Sequence, residues 1–217
     1  MDGVTHVEMS GAGELSVKQA RVVGWSNLGG RDLALVQRCA SSDEAACAEL
    51  VAEYQRMVIQ LAMNLLGDRN EALDLSQEVF LRVFRTIHRF RGQSSLRTWI
   101  YRIAVNQTRN RHRFWRRRHR ADHVSLDVHL ATHGDFLATH ESTPDQVLAQ
   151  KELGIRLQRA LDHLPFDQRT AIVLREIDGL SYEEIGYSLG VTIGTVKSRL
   201  TRARQALRGE LQEARRG

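Results

Sequence analysis

Apolar residues recur at helical spacing along almost the whole chain from Asp32 onward, and the period fails outright only between about Ala121 and Thr143. Two prolines among 217 residues leave little to interrupt long helices. Ser42 stands where it can cap a helix whose buried stripe is Ala46, Leu50, Val51, Tyr54, Val58, Leu61, Ala62 and Leu65. Gly67 ends that helix, with Asp68 and Asn70 in the turn. A second helix is predicted from about Glu71 to Phe90, burying Leu75, Val79, Val83, Phe84 and Ile87. The stretch Arg91 to Ser95 reads as a loop, and a third helix from about Leu96 buries Trp99, Ile100, Ile103 and Ala104. Pro144 restarts the helical pattern, which continues to the end; the apolar run Ala171 to Leu174 belongs to it rather than to a strand. The first thirty residues carry Gly11, Gly13, Gly24, Gly29 and Gly30 and no period, as a mobile extension would. The expected architecture is all-α: an extension over 1–30, a helical bundle over 31–120, a flexible linker over 121–143 and a second bundle over 144–217.

Charge and composition narrow the function. Lys plus Arg (31) exceeds Asp plus Glu (26), which gives +5 and suits an anionic partner. The N-terminus lacks a basic region followed by an apolar stretch, and no apolar run is long enough to span a bilayer, so a soluble cytoplasmic protein without membrane insertion is expected. Cys39 and Cys47, eight apart, make no metal or disulfide pattern; buried thiols are the plain reading and a redox pair the alternative. His123, His129, His133 and His140 in the linker invite a metal or pH-sensing idea, but spacings of six, four and seven suit no compact site. We expect no metal, no cofactor and no catalytic residues. A nucleic-acid-processing enzyme using Asp74 and Glu78 with a metal would need neighbouring ligands that the sequence does not supply.

The segment Leu180 to Thr192 carries several helix signals at once. Ser181 is an N-cap and Glu184, at the third helical position, completes a capping box. Leu180 and Ile185 are spaced as a hydrophobic staple, Gly190 supplies a left-handed stop, and Thr192 caps the next helix. A short helix, a glycine turn and a longer helix form the unit that enters a DNA major groove. In the second helix Val196, Leu200, Ala203 and Leu207 fall on one buried stripe. Ser198, Thr201, Arg202 and Gln205 lie opposite, where they can bond base edges, and Lys197 and Arg199 flank them within reach of phosphates. An ordinary solvated basic helix is the alternative.

Two features mark the first bundle. Arg109, Arg111, Arg113, Arg116, Arg117, Arg118 and Arg120 crowd its last helix, interleaved with His112, Phe114 and Trp115. Phosphate neutralisation with aromatic stacking accounts for such a run, and a charged helix end complementing the helix dipole is the plainer account. Asp74 and Glu78 sit four apart with Gln77 between them and Glu71 one turn earlier. Like charges at that spacing cost roughly 0.2–0.5 kcal/mol in an isolated helix. The helix dipole and a Glu78–Arg82 pair could offset that; alternatively the face awaits a basic protein partner.

These segments resemble a known family. Asp74 to Phe80, Phe90 to Ser94 and Thr98 to Asn106 are similar to the second conserved region of extracytoplasmic-function (ECF) sigma factors. Leu164-Pro165, Gly179 to Ile185 and Gly194 to Arg199 resemble their fourth region, and the closest likeness is to the sigma-E type. The resemblance spans roughly Asp32 to Leu211. It implies an initiation factor that binds core RNA polymerase through the β′ clamp helices and the β flap, recognises promoter DNA and helps melt it. By the same resemblance Asp74, Gln77, Glu78 and Phe80 dock on the clamp helices. Phe90, Arg91, Gly92, Gln93 and Ser94 capture a base flipped from the minus-ten element, and Asn106, with Arg109 and Arg113 of the basic run, lies at the melted DNA. Thr195, Lys197, Ser198, Arg199, Thr201, Arg202 and Gln205 meet the minus-thirty-five element, and an anti-sigma protein is implied as regulator. Trp99 is expected in the core rather than as a base wedge. The chain departs from the pattern in its N-terminal extension, in Thr192 where the family often has proline, and in the strongly basic run Phe114 to Arg120. A stand-alone helix-turn-helix regulator is the rival; it does not require the acidic face or the base-capture loop.

Overall fold

The computed structural model describes residues 30–118 and 144–213. The expected extension, the linker with its histidines and Arg120 lie outside them, as do the side chains of Arg116, Arg117 and Arg118. The described residues fold into eight α-helices: α1 (Gly30–Ala40), α2 (Glu44–Leu66), α3 (Arg69–Thr86), α4 (Leu96–Arg118), α5 (Pro144–Asp162), α6 (Phe166–Ile172), α7 (Tyr182–Leu189) and α8 (Ile193–Glu213). A 3₁₀ turn (Ile87–Arg89) follows α3, and α6 runs on into a π-helical turn (Val173–Ile177). No strand occurs among the described residues, as the unbroken helical period requires.

Local chemistry sets most boundaries. Asp43, not Ser42, caps α2: its carboxylate accepts from the Ala46 amide at 3.1 Å. Ser42 is committed to another task, holding a left-handed backbone (φ 64°) that ends α1. There the Ser42 and Asp43 amides donate back to the carbonyls of Cys39 and Arg38. Asp68 caps α3 by accepting from the Glu71 amide at 2.8 Å, so α3 starts at Arg69, ahead of the expected Glu71. It also stops short of Phe90. The Thr86 hydroxyl donates to the Arg82 carbonyl (2.7 Å), and the chain tightens into the 3₁₀ turn, leaving Phe90 extended.

Leu50, Val58, Leu61 and Leu65 of α2, Leu75, Val79 and Val83 of α3, and Leu96, Ile100 and Ala104 of α4 form the first interior. Leu164, Ile172, Val173, Leu174, Leu180, Ile185, Val196, Leu200 and Ala203 form the second. The two interiors are continuous, because α4 lies along α7 and the end of α2 meets α5 and α6. Arg169 of α6, only 7% exposed, pins that junction. Its guanidinium donates to the Leu65 carbonyl at the end of α2 (3.0 Å), and to the carboxylate (2.8 Å) and carbonyl (2.7 Å) of Asp162. A cation at the C-terminus of α2 satisfies one of its orphan carbonyls and opposes its dipole.

The α7–α8 turn is tight. Gly190 is left-handed (φ 67°), and a Cβ on Gly186 would lie 3.0 Å from the Val191 carbonyl oxygen. Gly186→Val is therefore expected to cost about 1–3 kcal/mol by thermal denaturation. Gly194→Ala, whose added Cβ meets only the Thr192 hydroxyl at 3.9 Å, is the near-neutral control.

Candidate nucleic-acid and polymerase interfaces

The helix-turn-helix forms as its sequence demands. Ser181 Oγ accepts from the Glu184 amide (3.1 Å) while Glu184 Oε2 accepts from the Ser181 amide (2.9 Å). Thr192 Oγ1 accepts from the Thr195 amide at the start of α8. On α8, Lys197, Ser198, Thr201, Arg202 and Gln205 are exposed, and Thr195 and Arg199 are half-buried. The Ser198 and Thr201 hydroxyls donate to the carbonyls of Thr195 (2.9 Å) and Lys197 (3.0 Å), so toward a ligand they present lone pairs. Arg199 is held by Asp167 of α6 at 2.6 Å, which leaves Lys197, Arg202 and Gln205 as the free outward donors of this face.

The segment Phe90 to Ser95 wraps one side of a second site. Gly92 is left-handed (φ 68°), Ser94 is fully buried, and Ser95 caps α4 by accepting from the Thr98 amide at 3.1 Å. Arg91 and Gln93 remain exposed. A cavity of about 520 Å³ opens here, lined by His88, Arg89, Phe90, Arg91, Gln93, Trp99 and Tyr187. Trp99 packs on Phe90 with ring centres 5.3 Å apart, so it is a half-buried wall of this cavity rather than a core residue alone. His88, Arg89 and Tyr187 join the site without any sequence signal. Further along α4, Asn106 and Arg113 are exposed while Arg109 is half-buried and pairs with Asp167 at 3.5 Å.

The acidic face of α3 presents Asp74, Gln77 and Glu78 to solvent. Phe80 does not stand on it: the ring is 6% exposed and packs toward Phe84, so it supports the face from beneath. Leu73 and Leu81 are exposed instead, the latter by 55%, and alternate with the polar residues at helical spacing. Glu78 pairs with Arg111 of α4 rather than Arg82, and Glu71 joins the same guanidinium at 2.6 Å. One arginine of the basic run thus serves the fold. A cavity of about 590 Å³ lies beside this pair, walled by Glu71, Glu78, Gln107, Asn110, Arg111, Phe114 and Trp115.

The two units do not hang apart. Arg97 donates to the Asp178 carbonyl (3.0 Å) and the Tyr101 hydroxyl (3.3 Å), and Thr98 donates to Glu184 Oε1 (3.0 Å). His112 stacks on Phe166 at 4.6 Å, and the Arg102 guanidinium lies over the Tyr187 ring at 4.9 Å. Asp167 bridges Arg109 and Arg199, one arginine from each unit. In this closed arrangement, part of each basic surface faces the other unit.

Comparison with known proteins places both units. The sigma-70 region 2 family matches residues 50–121, and the sigma-70 region 4 family matches residues 154–207. The RNA polymerase sigma-H factor of Pseudomonas aeruginosa is 35% identical over 182 residues, covering 84% of this chain and 94% of that protein. The ECF RNA polymerase sigma-E factor of Escherichia coli K12 is 37% identical over 182 residues, 83% and 94% of the two chains. The chain belongs to the ECF sigma factors of the sigma-70 family. Its fold agrees: the sigma factor RpoE of Bartonella quintana, solved in complex with the anti-sigma factor NepR, superposes with a TM-score of 0.61. That match is at 27% identity over 76% of this chain and 96% of that one. The region 2 match does not favour the stand-alone regulator. Among the described residues no helix is long and apolar enough to cross a membrane.

The closed sigma factor buries a carboxylate at its unit boundary. Burial pushes Asp178 up to about 6 from an ordinary 3.8, against the opposing pull of the Tyr101 hydroxyl and the Arg97 charge. One of its oxygens is enclosed without a hydrogen-bond partner. Because this pKa is raised, protonated Asp178 favours closure. That contribution is complete below about pH 4 and fades as pH rises through about 6. The distance between labels on α2 and α8, followed by energy transfer, should show wild type loosening over that window relative to Asp178→Asn. Identical pH profiles for the two proteins would remove Asp178 from the latch.

Proposed function

We propose that this ECF sigma factor docks on core RNA polymerase through the exposed face of α3, captures a flipped minus-ten base beside Phe90, and reads the minus-thirty-five element with α8. The observation that supports this reading most is the separation of three chemically distinct surfaces on two units. An acidic and leucine-bearing helix face suits a basic protein helix. A cavity with aromatic, cationic and amide walls suits a single unstacked base. A capped helix exposing Lys197, Arg202 and Gln205 suits a major groove. In the residue assignment, Asp74, Gln77 and Glu78 meet the β′ clamp helices, with Leu73 and Leu81 at their edges and Phe80 as support. Arg91, Gln93, Trp99 and the backbone at Gly92 surround the base, while Asn106 and Arg113 contact the melted strand. The second unit also engages the β flap. Arg109 and Arg199 join the DNA contacts when Asp167 releases them, and residues 121–143 act as the tether that permits opening.

The solved relative is held by an anti-sigma factor, and we assign this chain a regulator of the same class. Closure suits such control, because Tyr187 of α7 walls the base cavity, so the position of the second unit governs access to it.

Purified protein with core polymerase should give specific transcription from a promoter library; a protein that fails to bind core refutes the proposal. Asp74→Lys is expected to weaken core binding about tenfold or more, since a like charge then faces a basic partner. The test belongs on Asp74 because Glu78 also holds Arg111. Arg202→Ala should weaken upstream-element binding by roughly 1–3 kcal/mol in the holoenzyme. A footprint unchanged over that element would place the reading face elsewhere.

A further inference from the structure

Cys39 and Cys47 take no part in the surfaces described above. Cys39 lies in the last turn of α1 and Cys47 in the first turn of α2. The turn between them is fixed at both ends. Ser42 and Asp43 donate backbone hydrogen bonds to the carbonyls of Cys39 and Arg38, each at 3.1 Å. The Asp43 carboxylate caps α2 with one oxygen and accepts from Arg38 Nε at 2.8 Å with the other. This lock brings the two side chains to one place. Both thiols are free, Cys39 buried and Cys47 half-buried, and Cys47 is near enough to act on the Cys39 thiol electrostatically. They share a cavity of about 490 Å³ whose far wall includes Phe84, Ile87 and His88, just ahead of Phe90.

We propose that Cys39 and Cys47 form a dithiol that oxidises reversibly to an intramolecular disulfide, stapling α1 to α2 by exchange with a small-molecule disulfide. Their environments order the steps. Burial, and then the neighbouring Cys47, push the Cys39 thiol up to about 12, so it stays protonated and out of reach of reagents. Cys47 has solvent access and reacts first. Its thiolate attacks one sulfur of the small disulfide, forming a mixed disulfide and releasing one small thiolate. Cys39 then gives up its proton as its sulfur attacks Cys47, and the second small thiolate leaves. Two protein thiols are oxidised, one small disulfide is reduced to two thiols, and the two protons end on those thiols. The resulting bond closes the cavity beneath the segment that leads into the base-capture loop.

The test uses full-length protein equilibrated in glutathione buffers of rising oxidised fraction, acid-quenched and read by intact mass and thiol counting. These are the only two cysteines in the sequence. Wild type should become about 2 Da lighter, with no titratable thiol and no bound glutathione, and dithiothreitol should restore it. Cys39→Ser should instead stop at a glutathione adduct on Cys47, and Cys47→Ser should remain reduced in the same buffers. Wild type that accumulates the glutathione adduct, stays reduced where Cys39→Ser is fully modified, or forms a disulfide-linked dimer overturns the proposal.

Discussion

One carboxylate, that of Glu184, joins the DNA-reading motif to the rest of the molecule. Its Oε2 completes the cap that starts α7, and its Oε1 receives the Thr98 hydroxyl from α4. Thr98 is itself positioned by Ser95, the residue that ends the Phe90–Ser95 loop and caps α4. The start of the helix-turn-helix and the start of α4 are thereby fixed to one another by a short chain of hydrogen bonds. Arg97 on one side and Tyr187 on the other extend that line of contact. The closed arrangement is built largely from atoms that each unit already uses to shape its own functional surface.

That economy couples the two readers. On the proposed reading, an incoming base uses the cavity that Tyr187 helps wall, and phosphates compete for arginines that Asp167 holds. Parting the units would expose both at once, so the proposed minus-ten and minus-thirty-five contacts would become available together. Arg169 and Asp178 both sit at the boundary that such a step would break. The buried guanidinium satisfies an orphan carbonyl of α2 at the cost of its own desolvation, whereas the ionised Asp178 carboxylate opposes closure at neutral pH.

The sequence was most legible where a feature is short-range. The capping box at Ser181 and Glu184, the left-handed Gly190 and the Thr192 cap each need only neighbours within four residues, and all form as read. The all-α architecture and the helix restart at Pro144 were equally clear from periodicity. What escaped depends on distant groups or on competition between adjacent ones. Ser42 and Asp43 are both good caps, and the contest is decided by which of them α1 requires in a left-handed backbone. Glu78 finds Arg111 thirty-three residues away instead of its helical neighbour. Phe80 sits in a polar-looking segment yet turns inward, while Leu73 and Leu81 turn outward; only the packing of α3 on its neighbours shows which stripe is buried. Tyr187 could not have been placed in the base cavity from sequence, because it arrives from the other unit. The residues on α8 were legible as a face, but the tie between Arg199 and Asp167 was not.

Asp167 has a consequence for how this chain would respond to ionic conditions. Sitting between two arginines, it is in effect an internal stand-in for a phosphate. If DNA binds at those positions as proposed, binding is an ion exchange, in which a nucleic-acid anion displaces a protein anion that must recover a cation from solution. Fewer small ions are released in total than a count of arginines would suggest, and the salt dependence flattens by about one ion for the displaced carboxylate. Salt also screens the half-exposed bridge itself, loosening the closed form while weakening the contacts that the open form makes. The two effects oppose each other, which on the proposed contacts would give the factor a buffered response to ionic strength that a plain basic helix would not have.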